Sequence, residues 1–241
     1  MPIPFACRLV LLCSLLFVGL LGCVEAPPTA IPTVQAGPGH ADEGESLLSE
    51  EEKEAGFQLL FDGESLDGWE GDLETFRVED GAIVAGSLEN PIPQNEFLCT
   101  KERFDDFELR LKFKLVGEKK VNAGIQIRSE RIPDHHEMIG YQADLGDNYW
   151  GALYDESRRR KVLQQPENDA IMEHLKEEEW NDYRILCEGK RIQLWINGFQ
   201  TVDYTETDDE IPLTGLIGLQ IHSGPPMEAR YKDIRILKIG N

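Results

Sequence analysis

Val121-Asn-Ala-Gly-Ile-Gln-Ile-Arg128, Gly140-Tyr-Gln-Ala-Asp-Leu-Gly146 and Tyr149-Trp-Gly-Ala-Leu-Tyr-Asp-Glu-Ser-Arg-Arg-Arg-Lys-Val-Leu163 are the stretches on which the reading of this chain turns. Successive side chains of a strand take opposite faces. Ile125 and Ile127 therefore share one face and Gln126 and Arg128 the other, while Tyr141 and Ala143 oppose Gln142 and Asp144. Leu216-Ile-Gly-Leu-Gln-Ile-His222 repeats the pattern, with Ile217, Leu219 and Ile221 against Gly218, Gln220 and His222. If these strands share a sheet, Gln126, Arg128, Gln142, Asp144, Gln220 and His222 meet on one patch, with room left above Gly124, Gly140 and Gly218. Amides, a guanidinium and a carboxylate match vicinal hydroxyls, and Trp69, Trp150, Trp195, Tyr149 or Tyr154 can stack on a sugar face. A merely wet face is the plainer reading of any one strand; three strands repeating the pattern favour a ligand surface.

Outward from this centre, short alternating runs punctuated by turns continue in both directions. Phe57–Phe61, Thr75–Val78, Ala82–Val84, Phe97–Thr100 and Phe107–Leu115 precede it; Asp182–Cys187, Arg191–Ile196 and Ala229–Ile239 complete the series. Asp80-Gly81 and Asn197-Gly198 are hairpin signals. Only Asn168–Lys176 reads as helical, apart from one short turn over Ser46–Glu54. Roughly a dozen short strands predict an all-β fold, a sandwich of antiparallel strands, with a jelly roll as its favoured form.

Three segments are expected: a signal peptide over 1–22, a flexible acidic and Pro-rich tether over 23–55, and one β-sandwich domain over 56–241. Met1–Gly22 carries a single charge, Arg8, before the apolar run Leu9–Leu21, which is short for a membrane span and placed like a signal peptide. Leu20-Leu21-Gly22-Cys23 resembles the bacterial lipobox, so Cys23 is the expected lipidation site and a lipid-anchored place in the cell envelope, at the outer membrane or periplasm, the expected location. Pro27, Pro28, Pro32 and Pro38 and then Glu50, Glu51, Glu52 and Glu54 give the next segment too little apolar content to fold alone, hence a disordered tether.

The formal net charge is −21, which excludes a nucleic-acid partner and makes acidic polymers poor ligands unless a local basic patch exists. Arg158-Arg-Arg-Lys161 is the one dense basic run and reads as a solvated loop. Cys99 and Cys187 lie in apolar strands and read as two buried thiols rather than one bridge. Trp180 and Trp195 read as core aromatics more readily than as sugar platforms. His135-His-Glu137 is either a polar loop after Pro133 or a source of metal ligands or a proton-transfer group. Common catalytic signatures are absent: no Gly-x-Ser-x-Gly, no His-Glu-x-x-His, no Glu-x-Asp-x-x-Glu strand.

With these motifs in order, the chain resembles the 3-keto-disaccharide hydrolase domain family, long known as domain of unknown function 1080. The resemblance rests on Gly56-Phe-Gln-Leu-Leu-Phe-Asp-Gly-Glu-Ser-Leu-Asp-Gly-Trp69, Asn122–Arg128, Gly140–Asp144, Gly151–Glu156, Glu179-Trp-Asn181, Trp195–Gly198, Gly218–His222 and Tyr231-Lys-Asp-Ile234. It implies a concanavalin-like sandwich, often secreted or lipid-anchored. Two departures stand out. Many members carry Tyr-Glu-x-Gln-Ile where this chain has Tyr141-Gln-Ala-Asp144, and many place Trp before the first Asp-Gly hairpin, where Phe76 stands here.

The resemblance implies a carbohydrate substrate, a 3-keto-glucoside or disaccharide, cleaved by proton abstraction and elimination or by hydrolysis. A separate sugar oxidoreductase is the implied source of the keto sugar. His222 or Asp144 would be the base. Arg128, or a divalent metal held by Asp144, His222 and Glu137, would stabilise the enolate. Gln126, Gln142, Tyr154, Glu156, Gln220 and Trp150 would bind the sugar, and Glu137 or Glu156 would stand in for the missing glutamate. The competing expectations are a non-catalytic carbohydrate-binding module on a lipid tether and a cell-surface interaction domain.

Overall fold

The computed structural model describes residues 47–118 and 120–240. The signal segment 1–22, Cys23 and most of the 23–55 tether lie outside the described residues. Fifteen strands form: β1 (Gln58–Leu59), β2 (Trp69–Glu70), β3 (Phe76–Glu79), β4 (Ala82–Ser87), β5 (Glu96–Thr100), β6 (Phe107–Gly117), β7 (Asn122–Arg131), β8 (Met138–Gly146), β9 (Leu153–Glu156), β10 (Lys161–Gln164), β11 (Asn181–Glu188), β12 (Arg191–Ile196), β13 (Phe199–Thr205), β14 (Leu216–Ile221) and β15 (Met227–Lys238). Two short helices, α1 (Glu50–Ala55) and α2 (Asn168–Met172), accompany them, and neither is long or apolar enough to cross a membrane.

The strands make two antiparallel sheets. One runs β13-β12-β11-β6-β15-β4-β3, with β1 added to β15; the other runs β10-β9-β8-β7-β14-β5-β2. Neighbours in each sheet are often distant in sequence: β14 inserts between β7 and β5, and β15 between β6 and β4. This interleaving is the sandwich expected from the strand pattern. The turns follow their chemistry, with Asp80-Gly81 and Asn197-Gly198 both at positive φ, the conformation that matches the twist of two-residue hairpins.

Alternation builds the core. Leu109, Leu111, Phe113 and Leu115 of β6 point inward against Ile125 and Ile127 of β7, Tyr141, Ala143 and Leu145 of β8, and Ile217, Leu219 and Ile221 of β14, all of them buried. Each such side chain contributes about 1.5–3 kcal/mol through burial. Cys99 and Cys187 are free, buried thiols. Trp150 belongs to this core, stacked on Phe113 at 6.3 Å, so it is a packing residue rather than a sugar-binding one. Trp69 is buried too, donating from Nε1 to the Leu60 carbonyl at 2.6 Å.

Strands β2, β9, β10 and β13 do not stand out in the sequence pattern, being short or interrupted. α2 stops at Met172, short of the expected Lys176. α1 is capped by a reciprocal Ser49–Glu52 box, and Glu52 folds inward to reach Arg110 and Arg235, so the last residues of the expected tether dock on the sheet.

Candidate functional site

β7, β8, β9 and β14 lie side by side, and their registers put the polar residues in rows. Gln126 faces Gln142, which faces Tyr154; Gln220 faces Gly124, which faces Asp144; Gly140 faces Glu156. The outer face of this sheet therefore carries most of the expected patch. A pocket of about 320 Å³ opens at one end of it, lined by Glu137, Gln142, Asp144, Tyr154, Glu156 and His222, together with Asn95, Asn122 and Tyr149. Larger hollows exist, such as one of about 550 Å³ beside Arg103 and Lys238 and one of about 420 Å³ beside Lys120 and Glu177, but neither holds a histidine next to its carboxylates.

Arg128 is not in the pocket. Register slips between Ile127 and Glu130, and Arg128 takes φ 47°, a bulge that turns its side chain away from the face alternation assigns it. The guanidinium is fully buried and satisfied elsewhere, donating to the Asp105 and Gly189 carbonyls and to Asp106 Oδ1, each at 2.6 Å. Gly215 permits this approach, since a Cβ there would sit 2.3 Å from the Arg128 carbonyl carbon. Arg128 is thus a structural clamp.

The space above the three glycines is also taken. Gln142 lies over Gly124, Met138 and Cys99 crowd Gly218, and Ser129 fills the site above Gly140. Phe97, Cys99 and Met138 form a second small apolar cluster that covers part of this face. The open hollow is displaced toward Asn122 and the end of β14.

Beneath it runs a chain of hydrogen bonds. Ser129 Oγ donates to Gln126 Oε1 at 2.7 Å, Gln126 Nε2 to Gln142 Oε1 at 2.6 Å, and Gln142 Nε2 to Asp144 Oδ1 at 2.5 Å. Gln126 is fully buried, so it acts through Gln142 rather than on a ligand. Gln220 is also sealed, and neither of its amide atoms finds a protein partner. The chain pins Asp144, whose carboxyl burial pushes up to about 8, against the Gln142 hydrogen bond and helped by the Glu156 charge. Burial and the neighbouring Glu137 raise Glu156 as well, against hydrogen bonds from Ser157 and the His222 charge.

A second network, absent from the sequence reading, ties the rim. Asn95 is buried; its Nδ2 donates to Glu137 Oε1 at 2.9 Å and its Oδ1 accepts from the Ser223 N–H at 2.8 Å. The Ser223 carbonyl lies 2.7 Å from His222 Nδ1. A carbonyl can only accept, so Nδ1 carries a proton, and in the neutral ring Nε2 is the nitrogen that holds the lone pair. Glu137 Oε2 and Asn122 Oδ1 are buried without a protein partner, acceptors whose desolvation costs about 1–3 kcal/mol each if nothing binds them. No sequence motif marks Asn95, which comes from a loop, and Asn122, though it opens the Asn122–Arg128 motif, carries no role in the sequence reading.

Asp144, His222 and Glu137 share the pocket, yet among the described residues no three His, Cys, Asp or Glu side chains converge to hold a metal ion. Of the aromatic candidates, Tyr149 and Tyr154 line the site. Trp195 stands on the other sheet with the Arg184 guanidinium 4.2 Å from its ring centre. Arg158 and Arg159 are no free basic patch, because both fold onto buried Asp155, and Arg159 also onto Glu206.

Residues 56–237 match the model of the 3-keto-alpha-glucoside-1,2-lyase-like domain. No functionally curated protein matches the chain in sequence. Among solved structures, the chain is similar to a candidate glycosyl hydrolase from Parabacteroides distasonis, with TM-score 0.61 and 20% identity over 80% of this chain and 98% of that one. It is also similar to the carbohydrate binding module CBM66 from Bacillus subtilis, with TM-score 0.54 and 13% identity over 70% and 94% of the two chains. A third likeness is to the exoplasmic/lumenal domain of VIP36, solved with Ca2+ and Man3GlcNAc, with TM-score 0.55 and 10% identity over 76% and 88%. At these identities the likenesses establish the sandwich fold.

Proposed function

The chain belongs to the 3-keto-alpha-glucoside-1,2-lyase-like domain family, and on that footing we propose that its pocket cleaves 3-keto-glucosides or 3-keto-disaccharides by proton abstraction and elimination. The observation that carries this reading is one open pocket holding both a histidine with a free Nε2 and a carboxyl that burial keeps protonated at neutral pH. Two titratable groups pushed to opposite roles are what acid–base catalysis requires.

The ketone at C3 acidifies the hydrogen on C2. His222 Nε2 takes that proton, and the C–H electron pair moves into an enolate spanning C2 and C3. The protonated Asp144 carboxyl donates a hydrogen bond to the enolate oxygen, the role first expected of Arg128. The ketone then re-forms, the pair becomes a C1=C2 double bond, and the C1–O bond breaks. Glu156 gives its proton to the departing oxygen. Water added across C1=C2 would restore the keto sugar. Asn95, Asn122 and Glu137 orient the hydroxyls, and Tyr149 and Tyr154 bracket the ring.

The test is incubation of the purified domain with paired native and 3-keto-glucosides, with and without chelator. Aglycone release from the keto form alone is expected. Equal cleavage of both forms, or an unimpaired His222→Ala variant, would defeat the scheme. The second reading is a binding module, favoured by the half-exposed Tyr149 beside two amides; it predicts binding of both sugars with no turnover.

We also propose lipidation at Cys23, a place in the bacterial cell envelope, and a sugar oxidoreductase supplying the keto group. Cys23→Ser should move the protein from the membrane to the soluble fraction.

A further inference from the structure

The opposite sheet carries an arrangement that the pocket chemistry does not use. Across the outer face of three adjacent strands, Arg184 of β11 stands opposite Arg110 of β6, which stands opposite Arg235 of β15. The next row pairs Lys112 with Lys232, and the next pairs Lys114 with Arg230. Like charges directly opposite one another weaken a sheet, and the chain as a whole is strongly acidic. Three successive rows of cations are therefore a concentration against the trend of the molecule.

Carboxylates offset these charges only in part. Glu108 bridges Arg184 and Arg110, and Glu52 bridges Arg110 and Arg235, two acids for three guanidiniums. Asp182 pairs with Lys112, and Glu228 and Glu79 with Arg230, while Lys232 and Lys114 have no ion-pair partner among the described residues and instead flank the Trp180 ring at 4.5 and 5.7 Å. Arg110 Nη2, Arg184 Nη1 and Arg235 Nη2 have no protein acceptor among the described residues, whereas the other guanidinium nitrogens are engaged. The Arg184 guanidinium lies over the Trp195 ring. The arginines and Trp195 line a groove of about 410 Å³.

We propose that this groove and the adjoining lysines bind an anionic polysaccharide, one bearing sulfate or carboxylate groups, on the face opposite the pocket. The three arginines come from neighbouring strands, whose backbones lie about 4.8 Å apart, so their free Nη groups suit successive acidic substituents of a polymer laid across the strands, and the tryptophans flank it. That the polymer is a glycan rests on the carbohydrate reading of the other face; the anionic character rests on the cation rows alone. The net acidity of the rest of the surface keeps other polyanions off everywhere but here.

The experiment measures affinity of the domain for dextran sulfate, neutral dextran and polyphosphate, at about 0.05 M and about 0.5 M salt. Dextran sulfate is expected to bind at low salt and release at high salt, with neutral dextran inert and polyphosphate weaker. The double variant Lys114→Gln/Lys232→Gln and the single variant Arg184→Gln should each weaken binding about tenfold or more. The two lysines make no ion pair, so an unchanged melting temperature in the double variant certifies its fold. His222→Ala should bind dextran sulfate normally while losing cleavage of small keto-glucosides, which separates failure of this proposal from failure of the catalytic one. No binding at low salt, binding untouched by the substitutions, or polyphosphate binding as tight as dextran sulfate would overturn it.

Discussion

Asp144→Asn should make the protein more stable and less active, and the size of the effect should depend on pH. The Asp144 carboxyl titrates near 3.8 when unfolded and is pushed up to about 8 in the fold, chiefly by burial. Below about pH 4 both states hold the proton. Between about pH 4 and 8 only the folded state holds it, so folded stability falls as pH rises, by about 1.4 kcal/mol per unit. Above about pH 8 both states are ionised and the penalty levels off at about 6 kcal/mol. Asparagine stays neutral and can still accept from Gln142, so the variant escapes the penalty. Urea unfolding of both proteins from about pH 5 to pH 9 reads the difference, since groups away from Asp144 titrate alike in the two. The variant's advantage should grow from under about 2 to about 6 kcal/mol across that range. A stability difference that stays flat with pH refutes the assignment of Asp144 as a carboxyl held protonated by burial. Cleavage of a 3-keto-glucoside should fall about a hundredfold or more in the same variant, the opposite sign from stability.

Other substitutions separate the site from its scaffold. His222→Ala should lower kcat about 10²- to 10⁴-fold on a keto-glucoside with its folding intact, as steady-state kinetics and circular dichroism would show. Asn95→Ala cuts the link from Glu137 to Ser223 and should cost about 1–3 kcal/mol while lowering kcat more than it raises KM; an effect confined to stability would leave Asn95 as packing alone. Arg128→Met removes three hydrogen bonds and leaves partly exposed Asp106 with the Gly189 N–H alone, so it should destabilise by about 2–4 kcal/mol yet leave turnover per folded molecule unchanged. Burial pushes the Cys99 and Cys187 thiols up to about 12, so neither should react with a thiol reagent at neutral pH until the chain unfolds.

The alternation of Ile125, Ile127, Leu219 and Ile221 with polar neighbours, and the hairpins at Asp80-Gly81 and Asn197-Gly198, determined the sandwich, because burial of one face and turn geometry are local properties. The same rule put Gln142, Asp144 and His222 on a common outer face. What it could not foresee was the bulge at Arg128: one residue at positive φ shifts the alternation over the rest of β7, and only the close packing of Gly215 and the waiting Asp105, Asp106 and Gly189 acceptors make that turn favourable. Alternation also treats glycine as empty space, whereas the packed fold fills the space over Gly124 and Gly218 with Gln142, Met138 and Cys99, moving the hollow to where Asn95 and Asn122 close it. Their roles, like the row of Arg184, Arg110 and Arg235, arise between segments up to 128 residues apart. Such partners are chosen by the register of whole sheets, a long-range balance of burial and hydrogen bonding that no local stretch of the chain encodes.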